Sequence, residues 1–449
     1  MPTGRIVTAA RRRVGPALLV GMALCVEGGA ARSQDEPPAP AKAAPVSRPS
    51  SRRPYANTGV HLAIERGLCW LSRHQDETGR WSGATVAKAC AAVDPKAPRC
   101  QPETALDKGL YSTQADVGCT ALALLAFLRA GLGDDSTKLI EDPVSKHKLT
   151  IGHDVVHKGL QWLVSQQRPD GSFSDPGGYF LYNEAVATLT LCEAYLLTGH
   201  AEWRAPAQKA VDYLCKAQQH NPIDPTRRWG WRYQPPEVAP PAREQGGFPT
   251  DSDMSVTGWM VVALKTAKAA GLEVPQAPLD GALDFTRWST ARSGLVGYLG
   301  PDSAGMPIIG EHDNFQYHVG TMSSIGMVVR LALEHDAADP FLAAAAESLT
   351  HDLPAAGTDP DKPRIDYYFW YYGAQALNQL DGPDGVTHSS KYSMTWNKVM
   401  IDTIVELQDR TKGACSFGGW MKPDRWSYAY GPVYTTAMSV LSLEVCFRY

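Results

Sequence analysis

Two acidic residues, Asp251 and Asp253, stand two positions apart before an apolar stretch that begins at Met254. A carboxyl group placed in this way can protonate a substrate if its surroundings raise its pKa. The same residue types cap helices, because the carboxylate accepts hydrogen bonds from free backbone N–H groups of the first turn, and the helix dipole favours the ionised form. We take Asp251 and Asp253 as candidate catalytic residues, with helix capping as the alternative role.

A polar stretch from Glu311 to His318 contains two histidines, His312 and His318, together with Asp313. Histidine and carboxylate groups bind zinc, but this spacing matches no zinc motif. We therefore expect His312 and His318 to form hydrogen bonds at the rim of a ligand pocket. The sequence predicts neither a metal site nor a cofactor.

Six consecutive aromatic residues follow Asp366, in the stretch DYYFWYYG. So long a run cannot all face one packed core, so some of these side chains line a central cavity or its mouth, where Tyr and Trp combine an apolar face with a polar tip. An aromatic pocket favours an apolar or sugar-like ligand, and packing without a ligand is the alternative. The candidate ligand-binding residues of this group are Asp366, Tyr367, Tyr368, Trp370, Tyr371 and, near the C-terminus, Tyr434.

The elements that carry these residues contain a repeat. GLCWLSRHQDETGRW, residues 67–81, and GLQWLVSQQRPDGSF, residues 159–173, place Trp, Gln, Gly and a closing aromatic residue at the same offsets. Glycine closes the turn after the helix, and the Gln side chain can bond the free carbonyls at the helix end. We expect the closing aromatic residue to fold onto the next hairpin, so that the motif fastens neighbouring repeats and takes no part in a reaction.

Six helices of this type alternate with more apolar helices. The first set is predicted to start near Ala63, Val155, Ala207, Leu279, Asp339 and Trp396, and the second near Val117, Asn183, Asp253, Val319, Asp366 and Val433. A helix that is apolar on nearly all faces must be surrounded by other helices, whereas a one-sided helix can face water. We therefore predict an all-α fold, an (α/α)6 toroid of six helical hairpins with an inner and an outer helix ring.

The N-terminal region is separate from this fold. A basic segment and a short apolar run, followed by small residues, predict a secretory signal peptide over residues 1–33. Residues 34–54 are rich in Pro, Ala and Ser and predict a disordered linker, so that a single toroid domain spans residues 55–449. The mature chain is then periplasmic or extracellular and has no transmembrane segment. A net charge of −4 gives no reason to expect nucleic-acid binding.

Nine cysteines become eight when the segment that contains Cys25 is removed. An exported chain can form disulfides, and Cys90 and Cys100 are the best local candidates because both lie in a loop-like segment. The others lie within apolar helical runs, where buried free thiols are expected. The disulfide pairing itself stays open.

The repeat resembles the QW repeat of squalene-hopene and related triterpene cyclases, whose toroid is shared by the β subunits of protein prenyltransferases. The layout as a whole resembles secreted prenyltransferase and squalene oxidase repeat proteins. This resemblance covers about residues 63–449 and implies a terpenoid cyclase-like toroid. The cyclase acid lies in an Asp-x-Asp-Asp motif, which here reads Asp-Ser-Asp-Met at 251–254, and alignment on Thr257 places Ser255 at the acid position. The Asp-x-Cys zinc ligands of the prenyltransferases have no counterpart in this sequence.

These departures leave three functions open. The first is a non-catalytic or degenerate toroid that binds a ligand or serves as a scaffold in the cell envelope. The second is a cyclase or transferase that takes isoprenoid lipids into the central cavity. The third is a carbohydrate-active enzyme, because (α/α)6 toroids also host glycosidases, which use paired carboxylates. Its available carboxylates are Asp251, Asp253, Glu311, Asp313 and Asp366. The expected ligand is therefore an apolar or isoprenoid molecule or a glycan, and the sequence leaves open whether the chain is an enzyme.

Overall fold

The computed structural model describes residues 58–84, 86, 100, 115–174, 180–238, 252–301, 303, 320–357, 364–387 and 389–448. The predicted signal peptide and linker lie outside these residues. The sequence-predicted residues that also lie outside them are Cys90, Asp251, Glu311, His312, Asp313 and His318.

Twelve α-helices make up most of the described residues. In chain order they are α1 (Thr58–Arg73), α2 (Asp116–Arg129), α3 (Lys158–Ser165), α4 (Phe180–Thr198), α5 (Ala201–Lys216), α6 (Met254–Ala269), α7 (Gln276–Trp288), α8 (Gly320–Leu333), α9 (Pro340–Thr350), α10 (Tyr367–Asp381), α11 (Lys391–Leu407) and α12 (Ser427–Arg448). A short antiparallel hairpin, β1 (Leu139–Glu141) with β2 (Lys148–Thr150), and a π-helix (Ile151–His157) precede α3. No helix among the described residues has both the length and the apolarity needed to cross a bilayer.

The even-numbered helices form a closed inner ring, because each packs on the next and α12 packs on α2. Their side chains are buried on all sides: in α4 the consecutive residues Leu189, Thr190 and Leu191 are all fully enclosed. The odd-numbered helices bury one face only, so that in α5 Trp203 is buried while Glu202 is exposed. This difference follows from the apolar and amphipathic patterns of the two sets. The predicted (α/α)6 toroid is confirmed.

The helices start close to the predicted positions. The last inner helix shows a clear difference in its start. The sequence predicts the last inner helix from Val433, whereas α12 begins at Ser427. Its backbone is kinked at Gly431, which has a φ of +67°, and Pro432 follows directly. Because proline lacks an N–H and glycine tolerates this φ, the pair interrupts the helix. The prediction therefore found the segment after the kink.

A glutamine fastens neighbouring hairpins at four places among the described residues. Gln167 shows the pattern: its Nε2 donates to the carbonyl of Gly171 in its own turn, at 3.3 Å, and to that of Pro206 early in α5, at 2.9 Å. The same pair of contacts is formed by Gln75, Gln218 and Gln408. We call this contact the Gln clasp. The predicted fastening is confirmed, but its acceptors are not the helix-end carbonyls that we expected.

The glycine and the aromatic residue complete each clasp. Gly171 has a φ of +96°, and a Cβ at this position would lie 2.3 Å from the carbonyl oxygen of Lys209, so only glycine fits. Trp81 donates its Nε1–H to the Leu71 carbonyl of its own helix at 2.7 Å. A Cβ at Gly159 of the next hairpin would lie 2.9 Å from the Trp81 ring. The aromatic residue is thus held between its own helix and the next hairpin.

The last clasp closes the ring. Gln408 donates to the carbonyl of Ala63 in α1 at 2.8 Å, although 345 positions separate them in the sequence. Beside it, Arg73 donates to the carbonyls of Cys415 and Phe417 at 2.9 and 2.8 Å. We call this junction of the first and last hairpins the seam.

Candidate functional site

The inner helices begin at one end of the ring, and polar side chains gather there. Asp253 is the N-cap of α6: its Oδ1 accepts hydrogen bonds from the backbone N–H of Val256 at 2.8 Å and from the Ser255 hydroxyl at 2.6 Å. The alternative role of Asp253 as a helix cap is therefore present. Its second oxygen, Oδ2, is buried and has no hydrogen-bond partner among the described residues. One oxygen of this carboxyl group is therefore used by the fold and the other is not.

A chain of hydroxyl groups leads away from Asp253. Because the Ser255 hydroxyl donates to Asp253, it accepts a hydrogen bond from the Tyr182 hydroxyl, at 2.5 Å. The Tyr368 hydroxyl donates to the Ser255 carbonyl at 3.3 Å. Burial raises the pKa of Asp253, and the positive charge of Arg232 opposes this shift. Hydrogen bonds from Ser255 and Val256 also oppose it, and removal from water is the larger effect.

Two further tyrosines extend this group. The hydroxyls of Tyr233 and Tyr298 are hydrogen-bonded to each other, and the ring of Tyr182 stacks on that of Tyr233 with 6.0 Å between centroids. The Arg232 guanidinium lies over the Tyr233 ring at 5.0 Å. Burial raises the pKa of Tyr298, so its hydroxyl stays protonated. These groups therefore present neutral hydroxyls and aromatic faces.

A second pair of acids lies where α10 begins. Asp366 caps the helix by accepting from the N–H of Phe369 at 2.9 Å, and Asp424 accepts from the N–H of Tyr367 at 3.1 Å. The Tyr434 hydroxyl donates to Asp424 at 3.5 Å. Burial, and next the negative charge of Asp366, raise the pKa of Asp424 to about 7. Both carboxyl groups thus accept hydrogen bonds at the start of α10, and the charge of Asp366 affects the pKa of Asp424.

We call these residues together the mouth cluster. Its members are Tyr182, Tyr233, Asp253, Ser255, Tyr298, Asp366, Tyr368, Asp424 and Tyr434. The two groups are continuous, because the Tyr368 hydroxyl donates to the Ser255 carbonyl and its ring contacts Trp426, whose backbone N–H donates to Asp424 at 3.0 Å. The partly exposed Trp426 packs against Tyr368, with 6.0 Å between ring centroids. Tyr182 and Tyr233 are also partly exposed, so aromatic faces are accessible at this end of the ring.

The aromatic run of α10 divides between two environments. Tyr367 and Trp370 are fully enclosed, and their rings pack edge to face at 5.3 Å. Phe369 packs edge to face on Trp396 of the outer helix α11. Of the sequence-predicted ligand-binding residues, Tyr367 and Trp370 are therefore enclosed by the packing of aromatic side chains. Tyr368 lies in the mouth cluster.

Tyr371, also predicted to bind ligand, lies deeper, at the centre of the inner ring. Its ring stacks on Trp259 of α6 at 5.6 Å, and its hydroxyl accepts from Arg129 of α2 at 2.7 Å. Arg129 in turn forms a buried ion pair with Glu193 of α4, at 3.2 Å. Side chains from four inner helices thus meet across the ring. They form a floor beneath the mouth cluster, and we call them the hub.

Sequence reasoning missed several members of the mouth cluster. Tyr182, Tyr233, Tyr298 and Asp424 were not predicted. Tyr182 stands at the start of α4 and Asp424 just before α12, and that position was the available signal for these two; Tyr233 and Tyr298 lie well before α6 and α8 and carried no such signal. Asp424 also carries a capping pattern, since its Oδ1 accepts from the N–H of Ser427 at 2.9 Å. Their types alone did not separate them from ordinary loop residues.

Two groups of described residues have ligand atoms close enough together to hold one metal ion. They are His74 with Cys100 and Cys415, and Asp134 with His200 and Glu202. Neither group belongs to the mouth cluster. The chemistry of the mouth cluster is therefore that of neutral hydroxyls, buried carboxyl groups and aromatic faces.

No protein-family model and no curated protein matches the chain. Solved structures match it over most of its length. An α-amylase from Clostridium perfringens has a TM-score of 0.51 and 10% identity, covering 86% of this chain and 97% of its own. The type II terpene cyclase MstE from Scytonema has a TM-score of 0.47 and 13% identity, with 86% and 97% covered. An inactive variant of the α-1,6-mannanase GH76A of Salegentibacter sp. HEL1_6, in complex with α-1,6-mannotriose, has a TM-score of 0.48 and 12% identity. The match covers 87% of this chain and 99% of the mannanase chain. Identities this low show the helical toroid and leave the activity open.

Proposed function

We propose that this chain is an exported, non-catalytic toroid of the cell envelope that binds a hydroxylated ring-shaped molecule, of which a sugar residue is the simplest, at the mouth cluster. The observation that carries the proposal is Asp253 Oδ2, a buried oxygen without a hydrogen-bond partner among the described residues. Such an atom destabilises the folded chain until something pairs with it. A ligand hydroxyl can donate to the carboxylate or accept from the neutral acid, so it suits either protonation state.

The surroundings of Asp253 favour a sugar over a hydrocarbon. Polar hydroxyls of Tyr182 and Tyr298 stand near the acid, and the partly exposed faces of Tyr233 and Trp426 can cover the apolar face of a sugar ring. A long isoprenoid chain needs a deep apolar cavity. The hub instead places stacked aromatic rings of Trp259 and Tyr371 and a buried ion pair beneath the mouth cluster.

The carboxyl groups support binding more than catalysis. Asp253, Asp366 and Asp424 all accept backbone N–H groups at helix starts. Oxygens engaged in capping are poorly placed to exchange a proton in each turnover, and at Asp253 only Oδ2 lies outside the cap. Export rests on the predicted signal peptide and is part of the proposal.

The test is calorimetric titration of the chain lacking residues 1–33 with mono- and oligosaccharides, together with mass spectrometry of molecules that co-purify with it. We expect saturable binding that Trp426→Ala weakens about tenfold, the loss of one aromatic stacking contact. Trp162→Ala is the matched control, since Trp162 is equally half-buried but lies on the outer helix α3. Equal affinities of the two variants, or no saccharide binding at all, would contradict the proposal.

A second function, protonation of an isoprenoid, is favoured by one observation: burial raises the pKa of Asp253, as an acid catalyst requires. Linear polyprenyl substrates are incubated with the chain and the extract is analysed by gas chromatography and mass spectrometry. Cyclised products that disappear with Asp253→Asn would establish this function in place of saccharide binding. Unchanged substrate together with saccharide binding leaves the first proposal standing.

A further inference from the structure

The seam carries a second cluster of side chains, which shares no residue with the mouth cluster. His74, at the end of α1, points its Nε2 at two sulfurs: Cys100 Sγ at 3.5 Å and Cys415 Sγ at 3.3 Å. All three ligand atoms lie within 4.8 Å of one another. His74 and Cys415 are buried, and Cys100 is half-buried.

The histidine is oriented as metal-binding histidines are. Its Nδ1 lies 2.7 Å from the carbonyl oxygen of Trp70, which can only accept, so Nδ1 carries the proton. Nε2 therefore directs a lone pair at Cys100 and Cys415. The imidazole also stacks on the Trp70 ring, with 3.9 Å between centroids, which holds its plane. A second ring nitrogen fixed on a backbone carbonyl is the usual support of a zinc-bound imidazole.

The distances fit a zinc ion. With Zn–N and Zn–S bonds of about 2.0 and 2.3 Å, a tetrahedral ion separates nitrogen from sulfur by about 3.5 Å. The two N–S distances in the cluster are 3.5 and 3.3 Å. Two thiolates and a neutral imidazole also cancel the charge of Zn²⁺, which removes the cost of placing a divalent ion in a buried position.

We propose that His74, Cys100 and Cys415 bind one Zn²⁺ ion, which joins the first and last hairpins at the seam. Binding releases the two thiol protons to solvent, and the three ligands leave one position of the tetrahedron for a further donor. The position in the chain gives the site its role. His74 directly precedes the first clasp residue, Gln75, and Cys415 lies in the last clasp, between Gln408 and Gly418. The ion would hold together the two ends of the ring.

The first experiment is metal loading. The chain lacking residues 1–33 is reduced with a phosphine, incubated with ZnCl₂, dialysed and analysed for zinc. We expect one zinc per chain, and a competition titration with a chromogenic chelator should show affinity at least tenfold lower for Cys100→Ser. Cys215→Ser is the matched control, because Cys215 is also half-buried but is a free thiol of α5 outside the cluster. No retained zinc, or equal affinity in the two variants, overturns the proposal.

The second experiment needs no variant, so a folding defect cannot obscure it. The wild-type chain is alkylated with iodoacetamide with and without a chelator, and each cysteine is quantified by peptide mass spectrometry. We expect bound zinc to protect Cys100 and Cys415 and the chelator to remove that protection, while Cys215 is unaffected. Recovery of Cys100 in a disulfide with Cys415 or Cys90 from freshly isolated chain, or alkylation that ignores zinc, overturns the proposal.

Discussion

The Gln clasps and the mouth cluster are built in opposite ways. The clasps repeat one arrangement: the two acceptors of Gln167 have equivalents at Gln75 and Gln408. In the mouth cluster the contributing inner helix starts supply different side chains, such as Tyr182 on α4 and Ser255 on α6. Contacts that every hairpin must make are repeated, whereas contacts that serve a ligand need to be made once.

The border between the two regions shows the difference at one equivalent position. On α2, α6 and α12 a threonine hydroxyl, that of Thr120, Thr257 or Thr436, accepts the N–H of the closing tryptophan of the clasp. On α4 the same position is Glu184, whose carboxyl group accepts the N–H of Phe173 at 3.0 Å. Among these four described positions, a buried acid therefore replaces a neutral hydroxyl at one.

The largest loss of stability is expected at Gly171, where the clasp leaves no room for a side chain. Gly171→Ala places a Cβ 2.3 Å from the Lys209 carbonyl oxygen and forces alanine into a φ of +96°. We expect the free energy of unfolding to fall by about 4 kcal/mol, from backbone displacement added to left-handed strain. Urea denaturation followed by circular dichroism measures it.

Gly199→Ala separates these two causes. Gly199 also has a positive φ, +70°, but a Cβ there meets nothing within 4 Å. Its loss of stability should be about 1 kcal/mol, from backbone strain alone. Equal losses for both variants would mean that the close approach of Gly171 to the next hairpin contributes nothing.

The second-largest effect is a pH dependence of the free energy of unfolding, which Glu184 causes. Burial raises its pKa from 4.5 to about 8. Between these values the unfolded chain has lost this proton and the folded chain still binds it, so stability falls as pH rises through that window and levels off above it. Between about pH 5 and about pH 7, Glu184 should lower the free energy of unfolding by about 3 kcal/mol.

Glu184→Gln should remove this share of the pH dependence, because the amide oxygen still accepts the N–H of Phe173 and cannot ionise. Other buried acids also titrate, so the quantity measured is the difference between wild type and variant at each pH. Glu202→Gln, on the exposed face of α5, controls for loss of a surface carboxylate. Parallel stability curves for wild type and Glu184→Gln would show that Glu184 is ionised in the folded chain.

The third effect compares two adjacent glutamines. Gln167→Ala removes both clasp bonds and should lower the free energy of unfolding by about 2 kcal/mol, about 1 for each bond. Gln166 bonds only the exposed Ser165 hydroxyl, so Gln166→Ala should cost less than about 0.5 kcal/mol. Thermal and urea denaturation of both variants measure the two losses of stability. Equal losses for Gln166→Ala and Gln167→Ala would show that the clasp does not contribute to stability.

The same contrast explains what the sequence could predict. The clasp was visible because Gln75 and Gln167 recur in register with their glycines and aromatic residues, and apolar periodicity located the inner ring. The exact acceptors were not visible, because Pro206 and Val155 are chosen by how neighbouring hairpins pack.

The mouth cluster was harder to predict because its members occur once and come from different loops. Asp253 and Tyr368 were predicted from local patterns. Tyr182, Tyr298 and Asp424 become neighbours only when the ring closes, and their chain separation carries no signal of that. The zinc proposal shows the same limit: His74 and Cys415 are 341 positions apart, so no spacing motif relates them.

The last comparison concerns Asp253, where stability and ligand binding together separate a scaffold role from a binding role. Asp253→Asn keeps a capping oxygen for the N–H of Val256, and asparagine caps as well as aspartate, so the free energy of unfolding should change by less than about 1 kcal/mol. Asp253→Ala loses the cap and should cost about 1 to 2 kcal/mol. If the free Oδ2 accepts a hydrogen bond from a ligand hydroxyl, both variants lose saccharide affinity although only one loses stability, because the amide nitrogen that replaces Oδ2 in Asp253→Asn can only donate. If saccharide affinity follows stability instead, Asp253 belongs with the clasps and serves only to begin a helix.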